Sequence, residues 1–251
     1  MAIQSVNRAF DILSLYSAAK PVLGITEISN TLGLTKPTVH GLVQTLVARG
    51  FLSQDPETRK YSLGLSIYNL CSFLACTLKV NQVGADLVHR LADSLNHITR
   101  ISIWDQNATL VTLNVLPGLK KKDLQSLGPR IPAYCSASGK AMLAWLPEKD
   151  ISRYMKKVAF DSHTQNTITN KKYFLKELKK VRQNGYASDN EEYLPGMACV
   201  GCPVFDHTGQ PTAAISVSSV PGIIFGNDMD RITKEMKATA KEISLSMGYT
   251  P

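Results

Sequence analysis

The stretch TEISNTLGLTKPTVHGLVQTL, residues 26–46, constrains this chain more than any other. Ile28, Leu32 and Leu34 form one apolar set around Gly33. A second set, Val39, Leu42, Val43 and Leu46, has the i, i+3, i+4, i+7 spacing of a helix with one buried face. Thr26 offers an N-cap to the first helix and Gly33 ends it. The second helix starts at Thr35, with Pro37 in the first turn, where the amide it lacks has no intrahelical partner. Two short helices across a tight turn make a helix-turn-helix. At about 100° per residue, Pro37, Gly41, Gln44 and Ala48 fall opposite the apolar side of the second helix, with Thr38, His40 and Thr45 on its flanks. So small and polar a face lets phosphates and base edges come within hydrogen-bonding distance. Thr38, His40 and Gln44 are the predicted readers of double-stranded DNA, around Gly41 at the centre of the face, and Lys36 opens the helix as a phosphate contact.

The flanking segments extend this unit. SVNRAFDILSLYSAA is amphipathic through Val6, Ala9, Phe10 and Leu13, with Ser5 as its predicted N-cap. GFLSQDPETRKYSLG alternates over Phe51 to Gln54 and Lys60 to Leu63 around Asp55, Pro56 and Glu57, which is the pattern of a β-hairpin. Three helices and a hairpin make a winged helix-turn-helix over residues 1–65, in which Arg59 and Lys60 of the wing are placed to neutralise phosphates. Bulk charge adds little to this reading. The formal net charge is +8, but residues 1–64 hold six Lys and Arg against four Asp and Glu, a balance of about +2. Much of the excess lies in LKKKDL and in NKKYFLKELKKVRQNG, where lysines alternate with Phe174, Leu175, Leu178 and Val181 as on a solvated helix face.

Beyond the wing, residues 66–80 read as a linker helix, within a helical stretch from Leu65 to about Leu95 that is expected to break near Asn81 to Gly84. Residues 81–251 read as a second domain. TRISIWD and TLVTLNVL have the two-residue period of strands, and CVGCPVFD and TAAISVSS form another pair across the HTGQP turn. Helices are expected over Ser136 to Leu146, Glu148 to Lys157, Asn170 to Asn184 and Asp228 to Met247. Strands at both ends with helices between predict an α+β domain on an antiparallel sheet. Five scattered cysteines do not suggest a disulfide framework, and no apolar run approaches the roughly 18 residues of a membrane span. A cytoplasmic protein without membrane association is expected. Cys199 and Cys202 form a Cys-x-x-Cys, but within a strand residues three apart point to opposite faces, which argues against a shared metal or a redox pair. No cofactor, metal or catalytic residue is predicted. The adjacent acids of DNEE, Asp189 to Glu192, are expected to face solvent.

Seven blocks, SVNRAFDIL, GITEISNTLGLTKPTVHGLVQTLVARGFL, RKYSLG, IPAYCSASGKAMLAWLP, NTIT, VRQNGYASDNEEYLPGMACVGCPVFD and TAAISVSS, stand in the order and spacing of the IclR family of bacterial transcriptional regulators, which the chain resembles over residues 4 to 248. The resemblance implies an N-terminal operator-binding domain and a C-terminal GAF-like domain that binds a small effector. It also implies a pocket-lining role for Cys199 and an effector site that draws on Ala137 and Ser138, Asp189, and Ser216 with Ser218. These residue types suit a small organic or sugar acid: two serines one residue apart on a strand point the same way, and a carboxyl group accepts from a ligand hydroxyl. A homodimer or homotetramer on a roughly palindromic operator follows from the same resemblance. The chain departs from the family pattern at two places. The recognition helix usually reads Ser-Thr-Val-His-Arg where this chain has Pro37, Thr38, Val39, His40 and Gly41, and Gly201 and Cys202 stand where small apolar residues are usual.

Two other readings remain open on the sequence. One is an enzyme acting on a small organic acid, with the helix-turn-helix as an accessory domain. The other is an interaction module that has lost DNA binding, for which Gly41 is the best argument.

Overall fold

Gly33 adopts a left-handed φ of 66°, a conformation that costs glycine little, and the chain turns there between two helices. The computed structural model describes residues 2–118, 128 and 130–250. It divides into two compact units, Met1–Cys76 and Thr77–Pro251. In the first, α1 (Gln4–Leu13), α2 (Ile25–Leu32) and α3 (Lys36–Ala48) precede the antiparallel hairpin of β1 (Leu52–Gln54) and β2 (Tyr61–Leu63), in which Leu52 faces Leu63 and Gln54 faces Tyr61. Ile12, Ile28, Val39, Val43, Leu46, Leu52 and Tyr61 close one core, with Leu42 partly buried against it.

Two expected caps are replaced. The first helix begins at Gln4 behind Ile3, so Ser5 lies inside the first turn and caps nothing. The second begins at Ile25, one residue before Thr26. Its cap position is Gly24, whose N–H donates to Glu27 Oε2 at 2.6 Å; an acid in the first turn supplies that contact, and the cap residue needs no oxygen of its own.

After α4 (Leu65–Thr77) the helical stretch breaks at Leu78, and α5 (Lys79–Leu95) runs without interruption through Asn81 to Gly84. The expected break fails for two physical reasons. Asn81 is buried with its Nδ2 donating to the carbonyl of Thr112 at 3.2 Å. At Gly84 a Cβ would lie 2.9 Å from Ile101 Cδ1, so the glycine serves close packing of the helix on the sheet. That sheet has six antiparallel strands in the order β5 (Arg130–Pro132), β4 (Ala108–Val115), β3 (Ile98–Asp105), β8 (Pro211–Ser219), β7 (Ala198–Phe205), β6 (Ala187–Asn190). α5 and α10 (Met229–Ser246) cover one face through a core that includes Ile101, Val200, Cys202, Ile215, Val217 and Met236. The opposite face carries α6 (Ala137–Leu143), backed by α7 (Glu148–Lys157) and α8 (Lys171–Asn184) around Tyr154, Phe174 and Leu178; a short α9 (Pro221–Ile224) precedes α10. The α+β expectation holds. The short strands β5 and β6 were not expected, and the lysines of LKKKDL lie outside the described residues.

Candidate functional site

Strand register assembles the C-terminal site. Cys199 pairs with Ser218 and Gly201 with Ser216 across β7 and β8. On either side, Arg100 of β3 pairs with Ser216 and Asp189 of β6 with Cys199. Because alternate residues share a face, these side chains emerge on the side of the sheet that carries α6. Gly201 fixes how closely that helix sits: a Cβ there would lie 2.6 Å from the carbonyl carbon of Ala137 and 2.9 Å from the amide nitrogen of Ser138. The result is a small cavity open to solvent, lined by Ala137, Ser138, Asp189, Cys199 and Ser216 among others. Ser218 lies just behind, with Oγ 3.1 Å from Cys199 Sγ. All six predicted effector residues are thus brought together. Cys202 points into the opposite core, away from Cys199.

Burial sets the electrostatics. Asp189 is 5% exposed, its Oδ1 accepts from the amide of Glu192 at 2.7 Å, and burial raises its carboxyl to about 7. The Cys199 thiol is pushed up to about 11, first by burial and then by Asp189, so it is held as a thiol at neutral pH. Burial lowers the Arg100 guanidinium from its usual value, an effect Cys199 partly offsets.

Sequence reasoning missed three contributions here. Arg100 lines the cavity, with Nε donating to Asn114 Oδ1 at 3.0 Å and Nη1 to Ser218 Oγ. A signal was present in TRISIWD, where Arg100, Ser102 and Trp104 occupy one face of an otherwise apolar strand. The second is Lys140, which is fully buried and paired with Glu192, itself 6% exposed. Asp189 and Glu192 of the DNEE segment therefore face the interior, contrary to expectation: Lys140 of α6 pairs with Glu192 Oε1 and a turn amide donates to Asp189 Oδ1, while Glu192 Oε2 is buried without a partner among the described residues. Burial raises the Glu192 carboxyl and the Lys140 contact opposes that shift. Third, Tyr193, Leu194 and Met197, from the segment after that pair, line the cavity.

The N-terminal site is the outer side of α3 with the wing. Lys36, His40, Gly41 and Gln44 are exposed, and a Cβ on Gly41 would meet nothing within 4 Å. Thr38 is half-buried, its Oγ1 2.9 Å from Thr35 Oγ1. Gln44 Nε2 donates to the Tyr61 hydroxyl at 3.3 Å, which orients the amide from the wing side. Arg59 takes a positive φ of 58° in the hairpin turn. Lys60 lies 3.9 Å from Glu27, a contact between exposed groups of the kind worth little in water.

Two family models match this architecture: the IclR helix-turn-helix domain over residues 5–56 and the bacterial transcriptional regulator IclR C-terminal domain over residues 75–245. The chain belongs to the IclR family. It is 28% identical over 247 residues to the HTH-type transcriptional regulator XynR of Escherichia coli strain K12, covering 98% of each chain. It is 31% identical over 250 residues to KdgR of Dickeya chrysanthemi, covering 99% of this chain and 81% of that protein. An IclR-family regulator from Alicyclobacillus acidocaldarius superposes with a TM-score of 0.85 at 27% identity, over 99% of this chain and 100% of that one. The Thermotoga maritima IclR gives 0.76 at 28%, with the same coverage. These relatives are transcriptional regulators, and this IclR protein is a DNA-binding, helix-turn-helix regulator of transcription. Among the described residues, no helix is long and apolar enough to cross a membrane.

Proposed function

We propose that this IclR regulator binds an operator through paired α3 helices, as a homodimer or homotetramer, under the control of a small organic or sugar acid in the C-terminal cavity. Thr38, His40 and Gln44 read base edges around Gly41, while Lys36, Arg59 and Lys60 hold phosphates. The effector lies against Ala137, Ser138, Asp189, Cys199, Ser216 and Ser218. The observation that carries the reading is the cavity itself: hydroxyls, a thiol, the Arg100 guanidinium and a carboxyl about half protonated at neutrality converge on one small space. Self-association is supported by the apolar outer surfaces of α1 and α4, where Phe10, Tyr68 and Phe73 are all more than half exposed. The effector acts by binding one arrangement of the operator-reading helices more tightly than another.

Gel-shift binding to the DNA upstream of its own gene tests the proposal. Affinity should exceed that for random duplex and fall with salt at a log–log slope of about −0.9 for each phosphate neutralised. Adding acids from a panel should change that affinity. Equal affinity for random duplex at every salt concentration would sink the operator reading.

A further inference from the structure

The cavity has a feature that the predicted effector residues leave unused. Among the described residues Arg100 is the one cation lining the cavity, and it makes no ion pair. Its neighbours are neutral: the Asn114 amide takes Nε–H and the Ser218 hydroxyl takes one proton of Nη1. A guanidinium carries five N–H donors, so three remain, one on Nη1 and two on Nη2. A half-buried guanidinium that keeps donors on both terminal nitrogens is a fork without its anion, because arginine stays charged in proteins and a desolvated charge is costly unless paired. The first turn of α6, Ala137 to Gly139, carries no charged side chain, and its Gly139 amide is taken by Ser136 Oγ at 3.2 Å.

Resting on the reading of this cavity as the effector site, we propose that Arg100 is its specificity-determining anchor and selects a small hydroxy or keto monocarboxylate. The effector's carboxylate lies across Nη1 and Nη2, which suits two-point recognition of a planar anion. Its hydroxyl or keto oxygen turns to Ser138, Ser216 and Asp189. A second carboxylate on the ligand finds no second cation among the described lining residues. The raised Asp189 carboxyl fits this division, since a protonated acid donates to an oxygen where a carboxylate would repel an anion.

The test uses the full-length protein and three probes that differ in one group: glycolate, its neutral counterpart glycolamide, and tartronate, which adds a second carboxylate. The side-chain nitrogen resonances of Arg100, assigned by their loss in Arg100→Gln, are followed by NMR, and affinities are measured by calorimetry. Glycolate should shift the Arg100 signals saturably and glycolamide should leave them in place. Tartronate should bind at least about tenfold more weakly, and Arg100→Gln should weaken glycolate by about tenfold or more, as expected for loss of one partner of a desolvated charge pair. Arg100→Lys, which keeps the charge without the fork, should fall between. Unmoved Arg100 signals at high glycolate concentrations overturn the anchor, as does undiminished affinity in Arg100→Gln, and tighter binding of tartronate overturns the monocarboxylate selection. Each of those results leaves operator binding intact. Loss of operator preference beside a normal Arg100 shift would instead sink the regulator reading and leave the anchor standing.

Discussion

Gly41 and Asp189 each do what their neighbours determine. Gly41 lies on the outer side of α3 with open space beyond its α-carbon, so packing gives no reason for it. Mid-helix glycine costs about 1 kcal/mol relative to alanine. Gly41→Arg should therefore fold at least as stably as the parent, raise affinity for random duplex, and steepen the log–log salt slope by about 0.9. Gel shifts at several salt concentrations check this, and an unchanged slope would mean that this side of α3 does not meet DNA. Asp189 is governed by burial, which raises its carboxyl to about 7 against an ordinary value of 3.8. The folded chain then holds a proton that the unfolded chain releases, so the stability this group contributes is complete below about pH 4 and is lost as the pH rises through about 7, at no more than about 1.4 kcal/mol per unit. Asp189→Asn should flatten that decline in denaturant titrations run between pH 4 and 8. A slope identical to the parent's would show that another group carries it.

At the scale of elements, the decisive contact is α6 lying on β7 at Gly201. A methyl group there meets the backbone of Ala137 and Ser138 at under 3 Å, and backbone cannot rotate away as a side chain can. Gly201→Ala should cost about 1–3 kcal/mol, lowering the melting temperature by several degrees, and should weaken effector binding more than operator binding. Thermal denaturation and paired calorimetric and gel-shift measurements separate these effects; equal losses at both sites would point to general destabilisation. Elements of this kind were legible in the sequence where periodicity was strong. Val39, Leu42, Val43 and Leu46 gave the reading helix, and the CVGCPVFD and TAAISVSS runs gave two central strands. Short pieces were not legible: β5 and β6 have three and four residues, too few for a period to show, and Asn81 resembled a breaker until Thr112 supplied its partner. The cavity was half visible. Ser216 and Ser218 could be paired by strand parity, whereas Arg100 is held by Ser218, 118 positions away, and Lys140 and Glu192 meet across 52 positions. No local pattern reports such a contact.

For the molecule as a whole, α4 raises the question of what it packs against. It has no buried residue, yet Tyr68, Leu70 and Phe73 are 62%, 56% and 69% exposed. A second copy of the chain is the proposed cover. Phe73→Asp should lower the mass seen by sedimentation to that of a smaller assembly. It should also weaken operator binding by about 100-fold, since two linked half-site contacts gain that much or more over one. Unchanged mass and affinity would place the interface elsewhere. The central sheet has a further consequence, because one of its faces makes the core and the other makes the cavity. On β8, Ile215 and Val217 belong to the core while Ser216 and Ser218 belong to the site; on β7, Val200 and Cys202 belong to the core while Cys199 and Gly201 border the site. A saturation library scored separately for protein abundance and for inducer response should therefore show a two-beat rhythm along both strands. Abundance should fall at one set of positions and responsiveness at the next, so that new inducer preferences can evolve on alternate codons with little cost to the fold.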